Sequence, residues 1–266
     1  MDRGNSNREK TSARKRYLRP LVLILAMVLL AGSIVGGTLA WVIAEADPVV
    51  NTFVYGNIGL RLEETKTDEN GSPVKDSWGN PVKTTEGNTY KMRPGGEYLK
   101  DPLVTVLENS EDCWLFIKLE ETGGVTVING DGSTVTYGFD DYLAYTVADA
   151  WTQLYDAGHF GVSEYAITGV YYRYVPGDAV GTGISYRVLE DDTICVQPGA
   201  DAEMLKALDG NGEDAAANYP RLSCTAYAVQ HRGFEAEISE GAETATAEQV
   251  NTAALRAWKT IEAEKG

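Results

Sequence analysis

Asn109-Ser110-Glu111-Asp112-Cys113-Trp114-Leu115-Phe116-Ile117-Lys118-Leu119 decides the fold of this chain. Four turn-forming residues lead into a short, almost unbroken apolar run rich in aromatic and branched side chains. Such a run, bounded by turns, reads as a central strand covered on both faces. Immediately upstream, Leu103-Val104-Thr105-Val106-Leu107 follows a turn at Lys91 to Tyr98 and reads the same way. Downstream, Val125-Thr126-Val127-Ile128, Asn129-Gly130-Asp131-Gly132 and Val135-Thr136-Tyr137 form the clearest hairpin pattern in the sequence.

Farther out the same signature repeats. From Asn57, Ile58, Leu60 and Leu62 alternate with polar or small residues, the period of a half-buried strand. Gly169 to Val175, Gly183 to Leu189, Thr193 to Val196 and Leu222 to Gln230 read as further strands. Residues 63–89 are polar, and Gly71-Ser72-Pro73-Val74-Lys75 recurs as Gly79-Asn80-Pro81-Val82-Lys83. With Asn70-Gly71 and Gly79-Asn80 as turn signals, this insertion is expected to be a surface hairpin or mobile excursion. Helical segments are few: a short turn around Ala148 to Leu154, a helix over Ala200 to Leu208, and a C-terminal helix. In that last helix Val250, Ala253, Ala254, Ala257, Trp258 and Ile261 mark one face, behind a capping box of Thr246 and Gln249. The pattern predicts a mainly β protein, a β-sandwich of jelly-roll type with a C-terminal amphipathic helix.

The N-terminal region sets a different expectation. The first twenty residues hold seven basic and two acidic side chains, and Leu21 to Ala44 carries no charge. A basic head, an apolar run and a small-residue exit predict an export signal, with an uncleaved membrane anchor reaching about residue 46 as the alternative. Two positions suit a signal peptidase: Ala40 before Trp41, and Ala46 before Asp47. The expected organisation is therefore a signal over 1–40, a freed segment over 41–56, and one domain over 57–266. The formal net charge is −16, and since the basic head contributes +5 the remainder carries −21. So acidic a body argues against nucleic acid, whose phosphates require an excess of Lys and Arg.

Nothing in the sequence composes a catalytic set. His159 and His231 are the only two histidines, and there is no H-E-x-x-H, G-x-S-x-G, P-loop or dinucleotide fingerprint. Asp209-Gly210-Asn211-Gly212-Glu213 opens like a calcium loop, but Asp214 stands where Gly is needed and Pro220 where Glu is needed. No metal, cofactor or enzymatic activity is predicted. Cys113, Cys195 and Cys224 form no C-x-x-C pair, which leaves one bridge with a free thiol or three buried thiols.

Several fragments together resemble the TasA–camelysin family of exported Gram-positive proteins. They are Gly36-Gly37-Thr38-Leu39-Ala40-Trp41, Val50-Asn51-Thr52-Phe53, Gly56-Asn57-Ile58, Pro94-Gly95, Lys100-Asp101-Pro102, the Ser110 to Lys118 strand, Cys224 to Gln230, and the helix bearing Trp258. Residues 63–89 and about 138–220 match little. The sequence departs from the family pattern where Val42-Ile43-Ala44 intervenes before Glu45, which keeps both cleavage positions open.

The resemblance implies a secreted biofilm-matrix fibre subunit or surface protein, released by a SipW-type signal peptidase. In such fibres the freed N-terminus of one subunit adds a strand to the next. Here that donor strand would comprise Trp41, Val42, Ile43, Val49, Val50, Phe53 and Val54, with Pro48 interrupting the ladder once. The partners implied are other copies of the chain, the peptidase, and other matrix or anchor proteins. Two further readings stand beside it: a camelysin-like surface metalloprotease, and a monomeric membrane-anchored adhesion or ligand-binding domain.

Overall fold

The computed structural model describes residues 43–46, 58–177, 181–209, 215–239 and 244–265; at 43–46, 215 and 216 it describes the backbone only. Within Val42–Gly266, a single compact unit, the chain is mainly β. The expected signal, Ala40, and the donor-strand positions Trp41, Val42, Val49, Val50, Phe53 and Val54 lie outside the described residues, as does Asp47.

Strand β6 (Cys113–Thr122) is central, as its composition predicts. It pairs antiparallel with β14 (Arg221–Gln230) on one side and β11 (Ala166–Val175) on the other. With β1 (Ile43–Ala46) and β10 (Thr152–Tyr155) these make a five-stranded sheet ordered β1-β14-β6-β11-β10. Both faces of β6 are covered. Cys113, Leu115, Ile117 and Leu119 point into a core shared with a second sheet, ordered β12-β5-β2-β3. That sheet comprises β2 (Leu60–Thr65), β3 (Lys83–Thr84), β5 (Leu103–Val106) and β12 (Ile184–Arg187). It contributes Leu60, Leu62, Val104 and Val106, so the two sheets enclose one core in a sandwich-like arrangement.

On the other face of β6, Phe116 meets Trp258 of the C-terminal helix (Ala247–Lys265), with ring centroids 5.4 Å apart. Tyr227 of β14 meets the same indole edge-on at 5.5 Å. Both halves of the predicted capping box form: Thr246 N–H donates to Gln249 Oε1 at 2.8 Å, and Gln249 N–H to Thr246 Oγ1 at 3.3 Å. The helix buries Ala253, Ala254, Leu255, Ala257, Trp258 and Ile261 and one polar side chain, Asn251. Asn251 accepts from Tyr155 N–H (3.0 Å) and donates to Tyr155 C=O (2.9 Å). It thereby completes hydrogen bonds that the edge strand β10 lacks.

A third sheet, β4-β13-β9, is built from β4 (Glu97–Leu99), β13 (Thr193–Val196) and β9 (Leu143–Ala144). It carries a second core with Tyr98, Tyr142, Ile194 and Leu208, the last from a helix over Ala202–Leu208. The predicted hairpin forms as β7 (Val125–Ile128) and β8 (Thr134–Tyr137), a two-stranded sheet by itself.

Two expectations need correction. The helical turn around Ala148 to Leu154 is instead a turn leading into β10, because Leu154 is fully buried in the sheet. The 63–89 insertion is neither a simple hairpin nor a loose excursion. Its eight-residue repeat folds three segments onto one another through a closed ring of hydrogen bonds. Lys66 N–H donates to Val82 C=O (2.8 Å), Val74 N–H to Lys66 C=O (2.8 Å) and Val82 N–H to Val74 C=O (2.9 Å). In each turn an aspartate holds the bend: Asp68 Oδ1 accepts from the N–H groups of Asn70 and Ser72, and Asp76 Oδ1 from those of Trp78 and Asn80, all at 2.9 Å.

Candidate functional site

The main sheet ends in the strand nearest the predicted signal. Ile43–Ala46 pairs antiparallel with β14, Ile43 opposite Val229 and Ala46 opposite Ala226. Ile43 of the expected donor strand therefore lies on a sheet edge within its own chain, and Ala46 of the alternative cleavage site is the last residue of that strand. Beyond Ala226 the ladder with β1 stops, while β14 runs on to Arg221.

That end of β14, without a partner on this side among the described residues, forms one wall of a cleft of about 550 Å³. Arg221 to Cys224 face Leu62, Glu63 and Glu64 of β2 across it, with Asn88 at the end of the insertion and Tyr90 and Met92 just after it closing one side. The cleft thus continues along β14 from the place where β1 ends.

Its polar wall is pre-arranged. Lys100 Nζ lies 2.8 Å from Glu64 Oε2, with the two side chains only 12% and 6% exposed. Glu64 Oε1 accepts from Asn88 Nδ2 at 2.8 Å, and the same amide donates to Thr65 C=O at 2.8 Å. Asn88 Oδ1 in turn accepts from Thr67 N–H at 2.8 Å. Asp101 takes Thr65 N–H and Thr65 Oγ1–H, both at 2.6 Å, and Lys83 Nζ at 3.2 Å. Every charge in this group is matched, as burial demands. Loss of one partner would leave the other costly to bury.

The titratable neighbours are held in their neutral forms. Burial pushes the Cys224 thiol up to about 12; Lys100 draws it down and Glu64 pushes it up, each to a smaller degree. The Tyr90 phenol is raised by burial and then by the Glu64 carboxylate, and its hydroxyl donates to Leu99 C=O at 2.6 Å. A protonated, buried thiol is a poor nucleophile. What the cleft offers is a strand edge beside an apolar floor and a fixed ion pair, an arrangement suited to holding extended chain.

The two histidines occupy separate surroundings. His159 stacks on Tyr165 with ring centroids 3.7 Å apart, in the loop after β10. His231, just past β14, packs against Trp114 (5.3 Å) and Tyr174 (4.6 Å). Among the described residues, no three His, Cys, Asp or Glu side chains converge as a metal site. All three cysteines are free, with Cys113 and Cys224 buried and Cys195 half-buried. Among the described residues, no helix is long and apolar enough to cross a membrane.

The sequence pointed to the N-terminal segment and missed Glu64, Asn88, Lys100 and Arg221. These sit in polar stretches whose default is solvent, and no spacing in the sequence marks them as neighbours. Neither a scan against protein-family models nor searches of curated proteins and of solved structures returned a match to this chain.

Proposed function

We propose that the chain is a secreted, non-enzymatic structural protein that polymerises through its N-terminal strand into fibres of an extracellular matrix or cell surface. The observation that carries this reading is the β1–β14 ladder. Ile43–Ala46, the described part of the segment that follows the predicted signal, already has the conformation of an edge strand, and it lies on the edge that a neighbour's segment would use. Exchange of that strand between copies replaces one set of main-chain hydrogen bonds with an equivalent set. The balance between self-pairing and polymer then follows concentration, as in domain swapping. Cleavage after Ala40 would release the segment from the membrane with Ile43–Ala46 attached, whereas cleavage after Ala46 would remove that strand with the signal. Among the described residues the cleft beyond Ala226 provides room for a longer insert. The jelly-roll connectivity, the SipW-type peptidase and the matrix or anchor partners implied by the resemblance belong to the same proposal.

Electron microscopy of residues 41–266 beside residues 51–266 at high concentration tests it. Fibres are expected from the longer form only, with both forms giving the same far-ultraviolet dichroism. Fibres of equal abundance from the shorter form would overturn the reading.

A further inference from the structure

The β7–β8 hairpin stands apart from the other sheets: among the described residues its two strands pair only with each other. Val125 and Tyr137 anchor its base against the second core, and β7 lies beside the Ala202–Leu208 helix. β8, the strand away from that helix, has an edge with no partner strand among the described residues. Ile128 is 74% exposed and Val135 38%. Proteins ordinarily protect such an edge with lysine, proline or a bulge. Residues 125–137 contain no lysine and no proline, and β7 and β8 pair in unbroken register.

We infer that β8 is an interface for a second copy of this chain, paired antiparallel to itself about a twofold axis at Val135. The register supplies the geometry. Asn129 N–H donates to Ser133 C=O at 2.8 Å, so the alternation of an antiparallel ladder makes Val127–Val135 a hydrogen-bonded pair. The N–H and C=O groups of Thr134 and Thr136 therefore point away from β7. A twofold axis at Val135 sets Thr134 of one copy opposite Thr136 of the other, twice, and satisfies all of these groups. The contact is isologous and closes as a dimer.

The side chains fit the same symmetry. Thr126 and Thr136 already join Oγ1 to Oγ1 at 2.9 Å across the hairpin. Pairing would extend this into two identical rows running Thr126, Thr136, then Thr134 and Ile128 of the second copy. Threonine pairs across strands are favourable. Charge selects the place. The body carries −21, so two copies repel over most of their surface, whereas the hairpin from Val125 to Tyr137 has one charged residue, Asp131, at its tip. This interface makes no use of the N-terminal strand, and within fibres it would link chains side by side.

The test is oxidative cross-linking of the full chain carrying Val135→Cys, read on non-reducing gels. At the twofold axis the two residues would form a non-hydrogen-bonded pair with Cα atoms about 4.5 Å apart, within disulfide range. Val135→Cys is expected to give a covalent dimer, while Ile128→Cys, more exposed but on the inner strand, and the unsubstituted chain are not. Adding Thr136→Pro, which removes one outward N–H and leaves the hairpin ladder intact, should abolish the dimer. Equal cross-linking by Ile128→Cys, or none by Val135→Cys, would overturn the proposal. Sedimentation gives a second readout. Val135→Lys should weaken self-association about tenfold by setting like charges opposite each other, and mixing it with Val135→Glu should restore it. Failure of the mixture to recover would also overturn the interface.

Discussion

Cys113 and Cys224 illustrate what single residues contribute here. Each belongs to a strand of the main sheet, with its sulfur in the core between the sheets. Burial pushes both thiols up to about 12; the Asp112 carboxylate adds to the effect at Cys113. An acid whose folded value is raised keeps its proton on folding. The stability from that preference is complete below the ordinary thiol value of 9.0 and is lost as pH rises through about 12. Two outcomes are expected. Alkaline titration followed by dichroism should show unfolding set in above pH 9 and complete near 12, and replacing both thiols by alanine should flatten that part of the profile. Native iodoacetamide labelling should stop at one adduct, on half-buried Cys195, with three after denaturation, read by mass spectrometry. Rapid native labelling of all three would contradict the burial.

Among the elements, the repeated turns at Asp68 to Ser72 and Asp76 to Asn80 separate local from tertiary causes. Both use a glycine with positive φ, +81° at Gly71 and +86° at Gly79, and both are braced by an aspartate. Locally they are equivalent, and alanine at either site is strained by about 1–2 kcal/mol in the left-handed region. Their surroundings differ. A Cβ at Gly79 meets nothing within 4 Å, whereas at Gly71 it comes within 3.1 Å of both Cα and Cδ1 of Tyr98, a residue of the second core. Gly71→Ala is therefore expected to cost more than Gly79→Ala, by about 1–3 kcal/mol for the overpacking. Urea denaturation of the two variants decides it. Equal midpoints would show that the insertion does not bear on Tyr98.

For the whole molecule the dominant fact is charge. A formal −16 spread over a chain with a basic head leaves the body strongly self-repelling. Buried acids such as Glu64 are matched by Lys100, so the excess resides on the surface. Association of copies as proposed, whether by the N-terminal strand or through β8, would proceed against that field. Raising ionic strength from about 0.01 to 0.15 M shortens the screening length from roughly 30 to 8 Å. If the chain polymerises as proposed, the lag followed by light scattering is expected to shorten several-fold over that range. A lag that lengthens would mean that opposite charges at the interface, rather than apolar strand pairing, drive assembly.

Sequence alone determined the mainly β class, the place of β6 at the centre, the β7–β8 hairpin and the capped C-terminal helix. These are local matters: apolar period, turn residues and caps act over a few neighbours and leave a direct trace. The same local logic misread Ala148 to Leu154, because the sheet beside it offered Leu154 better burial than a helical turn would. It also placed the 63–89 repeat without showing that its three segments bind one another in a ring. Only the tertiary structure decided that Ile43–Ala46 covers β14. It alone set Glu64 beside Lys100, and it alone turned Asn251, a polar residue on an apolar helix face, to the edge of β10. Each of these joins groups far apart in the chain, and the energy that fixes it, pairing of buried polar groups, exists only once the sheets have packed.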